Sequence, residues 1–593
     1  MGVWERFNCY CSLLPYYPHT LLPYLPYYPT TRLPSASVLP CSQSLLSFHK
    51  GANRALNQAV TGGLMTIKRI ILSLLTVVAI LFAGASLWES WQQPQIQSRL
   101  ELYQANLLLH AQEWQPQGDD STSLSNARSA LLGEQPLNSA LEQYQEARTS
   151  AQVNLDKANN QLKQLQSESV TTPATPKPQS EIAPVTNTSR PRQQEQLQQS
   201  RAQLQRLIAE LDLRLGLLQV QQGQTNTAIQ TWTNFQQQVN NQQQAVLAET
   251  ATVLIGLWSD PPRIIPDAEQ LLQNNLEGWF RYRALSQLYQ IQQRQDTLTQ
   301  LQATEQATAQ QALIKLAFIG SLPAFGGIVG IGLLLFLCAQ RLLKGKDALL
   351  AQNEDARWST PWTGETIWQV FILGFFFMGQ IVVPLGFALL QIRPPSGSGV
   401  RVQAFYILTT YLTVALGGLI VLVLSIKPFF PLPKNWFRFD LQGNWFLWGL
   451  GGYCAALPLV VIVSLINQQI WQGQGGSNPL LSLALQAQDQ VALAIFFFTA
   501  AIAAPIFEEL LFRGFLLPSL TRYMSVWGAI VLSSLLFAVA HLSVAEILPL
   551  TVLGMVLGVV YTRSRNLLAP MLLHSLWNSG TLLSLFILGS SST

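Results

Sequence analysis

Hydrophobic and polar positions divide this chain into two regimes that meet near residue 315. Between 92 and 312 Leu and Ala recur at three- and four-residue spacing among many Gln, as in LEQYQEARTSAQVNLDKANNQLKQLQ and RQQEQLQQSRAQLQRLIAELDLRLGLL. That spacing predicts amphipathic helices rather than strands. The stretch TTPATPKPQSEIAPVTNTSRPR over 171–192 interrupts them, because Pro, Ser and Thr at that density make a linker. Beyond it, LGLLQVQQGQTNTAIQTW resembles a tetratricopeptide-type helix pair, and GWFRYRALSQLYQIQQRQDTLTQLQ is a weaker second copy. A plain helical bundle or coiled coil fits residues 92–315 equally well.

From 316 the chain is almost continuously apolar. Spans are expected near 316–338, 367–391, 404–426, 444–466, 491–511, 526–543, 546–562 and 567–588, with one more at 70–88. Each approaches the ~20 residues a helix needs to cross hydrocarbon. Alternate loops carry Arg341, Lys344, Lys346 and Arg357, then Lys427, Lys434 and Arg438, then Arg522, then Arg563 and Arg565. The opposite loops carry only Arg393 and Arg401, so the first set is expected in the cytoplasm. Lys68 and Arg69 before the first span agree, which puts 92–312 outside the cytoplasm. Residues 1–64, with repeated Pro-Tyr and Leu-Pro steps, give neither helix nor strand patterning and read as an N-terminal extension ahead of a start at Met65. Residues 65–91 have the basic-then-apolar order of a signal anchor or signal peptide.

Composition agrees with the pattern. Only 11% of residues are charged and 49% are hydrophobic, with a mean hydropathy of +0.22 despite the Gln-rich middle, a balance that belongs to membrane proteins rather than soluble domains. A net charge of +4 without a basic cluster excludes nucleic acid as the expected partner. The five Cys have neither disulfide-framework nor metal-ligand spacing. The expected architecture is therefore all-α: a polytopic bundle at 316–439 and 440–593, preceded by an extramembrane helical domain.

Candidate chemistry stands out against this apolar background. The segment VALAIFFFTAAIAAPIFEELLFRGFLL (491–517) places Glu508 and Glu509 side by side, where one acidic residue at a helix centre costs about 2.5–3.5 kcal/mol. Glu509 and Arg513 are four apart and can pair on one helix face. Glu508 points about 100° away and finds no such partner on its own helix. His541 and His574 also sit in apolar spans, with Phe537 one turn before the first and Asn578 one turn after the second. Peptide hydrolysis needs a base for water, donors for an oxyanion and a proton for the leaving amine. Glu, His and the Asn amide supply all three.

The strings EELLFR (508–513), FAVAH (537–541) and HSLWN (574–578), in that order on three apolar helices with Gly554 and Gly558 between the last two, resemble the CPBP family of intramembrane proteases. That family takes in CaaX prenyl endopeptidases and proteins linked to bacteriocin processing and immunity. The resemblance covers about 440–590. It implies that Glu508 activates water with help from His541, that His574 and Asn578 stabilise the oxyanion, and that Glu509 and Arg513 hold the geometry. It also implies a metalloprotease acting on membrane-associated or prenylated-type protein substrates. Zn2+ held by Glu508, His541 and His574 and a metal-free mechanism both remain open. A catalytically silent scaffold or immunity-type protein, binding partners through its outer helical domain, is the competing reading, and a proton-relay transporter a weaker one.

One geometric demand follows. His541 lies 19 residues beyond Arg522, whereas His574 lies nine beyond Arg565, roughly 28 Å against 13 Å along ideal helices. A shared site requires the two imidazoles within about 12 Å, and a 526–543 helix that begins outside the bilayer or a membrane thinned locally at a polar cavity.

Overall fold

The computed structural model describes residues 44–92, 97–115, 128–129, 131–133, 135–170, 189–239, 242–395, 397–471, 475–476, 483 and 489–589. Among them every regular element is helical, as the periodicity predicts. Helix α1 (Ser44–Gln92) runs through Met65 without a break. Residues 44–64 are thus helical, unlike the expectation for 1–64, because the last of the breaking prolines is Pro40. Residues 1–43 and most of the 171–192 linker lie outside the described residues.

The polar part consists of α2 (Gln97–Glu113), α3 (Pro136–Val170), α4 (Ser189–Gln221), α5 (Thr225–Gln237), α6 (Gln242–Trp258), α7 (Ala268–Asn275) and α8 (Gly278–Ile291), and ends in the first turns of α9 (Gln295–Lys344). It has its own core, with Leu211, Trp232, Leu254, Leu272, Phe280 and Leu288 among its buried members. The two suspected repeat copies close their helix pairs with the same turn. In the first, the Gln222, Gly223 and Gln224 amides donate to Leu218, Val220 and Gln219. In the second, Gln292, Gln293 and Arg294 donate to Leu288, Gln290 and Tyr289, a shift of 70 residues throughout. The middle residue is left-handed in both, Gly223 at φ +77° and Gln293 at φ +58°. Glycine adopts that conformation freely, while the glutamine is strained there. The degenerate pair α6–α7 lies between them, so two 35-residue steps carry one copy to the other, as in stacked helical repeats.

The remaining helices are apolar: α10 (Gly364–Leu389), α11 (Val400–Ile426), α12 (Trp445–Trp471), α13 (Gln490–Leu520), α14 (Val526–Val539), α15 (Ile547–Ser564) and α16 (Leu568–Gly589). With α1 and α9, eight helices among the described residues are long and apolar enough to cross a membrane, and the chain is a multi-pass membrane protein. The ninth expected span, 526–543, is a correction. Helix α14 has 14 residues, about 21 Å at 1.5 Å each, too little for a ~30 Å hydrocarbon layer. It stops because other elements satisfy the backbone that follows. Val544 N–H donates to Ser90 Oγ, Ala545 N–H donates to the Gly475 carbonyl, and the Ala545 carbonyl accepts from Asn467 Nδ2. Non-helical backbone at membrane depth is tolerated only where protein groups satisfy it in this way.

Close helix contacts carry order from the polar part to the apolar one. Helix α9 belongs to both, and its Gly326 and Gly330 face α12. A Cβ on Gly330 would lie 1.9 Å from the Cys454 carbonyl oxygen. Helix α12 in turn meets α16 at Gly449 and Gly452, where added Cβ atoms would come within 2.9 Å of the Ala569 carbonyl and 2.6 Å of Leu573. Basic side chains collect at the end away from the polar part. Lys68 and Arg69 pair with Glu365, Arg341 pairs with Glu354, and Arg522 and Arg563 donate to carbonyls of the 345–363 connection.

Candidate active site

Helix α13 is not a uniform α-helix. It widens into π-helical geometry at Phe498–Ala503 and again at Leu510–Leu516, either side of the short α-helical piece Ala504–Glu509. Such bulges leave backbone carbonyls for outside donors and often mark functional segments. Here two side chains of α16 take them: Asn578 Nδ2 donates to Ala500 O at 2.7 Å, and Ser575 Oγ donates to Ala501 O at 2.6 Å. The two glutamates between the bulges are thereby locked against α16.

Glu509 and Arg513 form the expected i,i+4 pair, with Nη1 to Oε1 at 2.9 Å and both side chains fully buried. The arginine does more than neutralise. Its Nη2 donates to the Gly554 carbonyl at 3.1 Å, and its guanidinium lies 4.6 Å from the centre of the Phe537 ring. Gly554 approaches so closely because it packs on Ser534, 2.9 Å from where a Cβ would stand. The motif glycine therefore lets α15 bring a carbonyl to the arginine.

Glu509 has a second role that the sequence reading missed. Its Oε1 also accepts from His574 Nδ1 at 2.8 Å. A carboxylate can only accept, so Nδ1 carries the hydrogen and Nε2 becomes the working nitrogen. That Nε2 faces Glu508, 3.9 Å from Oε2. The Oε2 atom is buried and has no hydrogen-bond partner. The other oxygen, Oε1, accepts from the Tyr411 hydroxyl of α11 at 3.3 Å. Tyr411 was also missed; its only signal in the sequence is a hydroxyl in the apolar run 404–426, which burial obliges to find a partner.

His541 stands just past the end of α14, where its Nδ1 donates to the Phe537 carbonyl at 2.9 Å, leaving Nε2 with its lone pair available. The Phe537 ring meets both imidazoles edge-on, His541 at 4.9 Å and His574 at 5.7 Å between ring centres. Those two distances together keep the histidines below the 12 Å limit. The remedies expected from helix length were an outside start or a thinned bilayer. The structure instead ends α14 early and turns the chain at Ala540–Ser543.

The arrangement thus brings Glu508, Glu509, Arg513, Phe537, His541 and His574 into one cluster, with Asn578 one turn along α16. The donor types suit a metal, but their placement does not. Among the described residues no three His, Cys, Asp or Glu side chains stand together as a ligand group. Glu508, His541 and His574 as placed do not form such a group.

Residues 490–580, which hold this cluster apart from Tyr411, match the model of the family described as type II CAAX prenyl endopeptidase, Rce1-like. The segment is Rce1-like, in line with the resemblance carried by its three motifs. Curated relatives point the same way. Over 164 residues the chain is 26% identical to "Putative membrane peptidase YdiL" of Bacillus subtilis, covering 27% of this chain and 65% of that one. It is 28% identical over 137 residues to membrane-embedded CAAX protease MroQ of Staphylococcus aureus, 22% of this chain and 54% of that one. A third, UPF0177 protein YxdF of Lactococcus lactis, is 29% identical over 147 residues, covering 24% and 75%. The chain therefore spans less than two thirds of the length of the first two relatives. No solved structure matches it.

Proposed function

We propose that the protein is a membrane-embedded endopeptidase that hydrolyses peptide bonds of membrane-associated or prenylated-type protein substrates. The observation that carries this reading is the unpartnered, buried Oε2 of Glu508, 3.9 Å from an imidazole nitrogen whose ring is held by a second carboxylate. Glu509 Oε2 is also buried without a partner, so what sets Glu508 apart is that its unpartnered oxygen faces the outward nitrogen of His574.

In this mechanism Glu508 Oε2 takes a proton from water, and the hydroxide oxygen bonds to the scissile carbonyl carbon. His541 Nε2, with its lone pair available, accepts a hydrogen bond from that water and orients it. The carbonyl oxygen becomes an oxyanion. His574 in its imidazolium form donates to it from Nε2 while Nδ1 stays on Glu509, and Asn578 offers the amide hydrogen not used by Ala500. The proton held by Glu508 then passes to the leaving nitrogen as the C–N bond breaks. Glu509 stabilises the imidazolium, and Arg513 keeps Glu509 aimed at His574.

The gathering of basic residues at the end away from the polar part supports a cytoplasmic position for that end. Residues 92–312 then lie outside the cytoplasm, available to protein partners or substrates. The test is a comparison of membrane peptides in cells carrying wild type or Glu508→Ala, with metal content measured on the purified pair. Products that vanish in Glu508→Ala support hydrolysis. Identical peptide profiles, with function retained in the variant, would favour a silent scaffold.

A further inference from the structure

Among the described residues outside the segment that matches the Rce1-like family, Tyr411 reaches into the cluster, and it does so through a built contact. Helix α11 presents Tyr411, Ala415, Gly418 and Leu422 along one stripe, spaced four, three and four residues apart, and Ala415, Gly418 and Leu422 are buried. Gly418 lies against Phe507, the residue before Glu508: a Cβ there would stand 3.2 Å from the ring atoms Cε2 and Cζ. Two turns away the Tyr411 ring meets the same phenylalanine edge-on, at 6.3 Å between ring centres. Phe507 is thus gripped by a glycine at one end and a tyrosine at the other, and this grip fixes the phenol beside Glu508.

We infer that Tyr411 is a positioning residue for Glu508: its hydroxyl donates to Oε1 and so assigns Oε2 as the oxygen that handles the proton of water. The inference rests on the hydrolase reading above. A carboxylate with two equivalent oxygens can rotate and offer either one. Here the Tyr411 bond at 3.3 Å occupies Oε1, and Oε2 is left unpartnered on the His574 side. Nothing else among the hydrogen bonds of the described residues holds Glu508. Its neighbour Glu509 is held twice. The base of the reaction therefore depends for its orientation on a helix outside the motif-bearing segment.

The test is Tyr411→Phe in the full chain, reconstituted in lipid, which removes the hydroxyl and keeps the ring on Phe507. The probe is a quenched-fluorescent farnesylated CaaX-type peptide, with Glu508→Ala as the blank. We expect kcat to fall about tenfold, the scale of losing one hydrogen bond to a charged group, with KM within about twofold and thermal unfolding unchanged. An activity-independent reading is the Glu508 carboxyl infrared band, isolated as the difference between each protein and its Glu508→Gln partner. This band shifts when one hydrogen bond to the group is lost. Wild-type kcat and an unshifted band in Tyr411→Phe would overturn the inference. If wild type cleaves no better than Glu508→Ala, the hydrolase reading fails, and with it a role in water activation. The band then still decides whether Tyr411 holds Glu508.

Discussion

Replacing Arg513 by Met keeps much of its volume and removes three interactions at once: the 2.9 Å pair with Glu509, the 3.1 Å bond to the Gly554 carbonyl, and the contact with the Phe537 ring. Both members of the ion pair are fully buried, and deleting one partner of such a pair costs about 3–5 kcal/mol because the other charge is stranded. The lower end of that range applies here. Glu509 and Arg513 lie on one helix, so their pairing survives when membrane helices separate, and only the inter-helix terms and the stranded carboxylate distinguish folded from separated states. The expected loss is about 3 kcal/mol, read as a lowered midpoint when the full chain is titrated with denaturing detergent. Glu509→Gln combined with Arg513→Met removes the stranded charge and should recover at least about 1 kcal/mol relative to the sum of the single changes. Peptide cleavage should not recover, since the neutral amide of Glu509→Gln cannot stabilise a His574 imidazolium as a carboxylate does. A single variant within about 0.5 kcal/mol of wild type, or a coupling near zero, would refute the reasoning.

Other outcomes test separate links. Glu508→Ala should abolish cleavage in reconstituted membranes while leaving yield and detergent-unfolding midpoint near wild type, because it loses only the long 3.3 Å bond from Tyr411 and its Oε2 makes none. Gly330→Leu should lower the unfolding midpoint by about 1–3 kcal/mol or more, since even its Cβ would collide with the Cys454 carbonyl. Gly332→Leu, with nothing within 4 Å of its Cβ, should be close to neutral. In the polar part, hydrogen bonds from Tyr289 and Arg294 hold the Glu269 carboxyl below its usual range. A lowered folded value stabilises above the ordinary carboxyl value of 4.5 and loses that contribution as pH falls through the lowered one. The hydrogen-exchange protection of the α8–α9 turn should therefore exceed that of Glu269→Gln at neutral pH, and the gap should close only under acid.

How much of this was legible beforehand differs by kind of interaction. Helical content, the division near 315 and eight of the nine expected spans follow from periodicity and run length, which are properties of consecutive residues. The Glu509–Arg513 pair is equally local, because four residues on a helix fix a common face whatever surrounds it. The two repeat copies are visible as strings, and their identical turns rest on hydrogen bonds spanning only three to five residues.

Interactions between helices were not legible in that way. The early end of α14 depends on Ser90, Asn467 and Gly475, which supply partners for backbone that an isolated apolar run would have to keep helical. Hydropathy over 526–543 contains no trace of them. The division of labour between the glutamates was likewise set in space: Glu509 takes His574 as well as Arg513, and among the described residues the one hydrogen bond to Glu508 comes from Tyr411. By itself the sequence determined which residue types were present, on which helices and at what spacing, and hence that an apolar bundle carried a hydrolytic set. Only tertiary packing decided which nitrogen faces which oxygen, because a glycine that draws two helices together acts over ångströms in space and leaves no pattern along the chain.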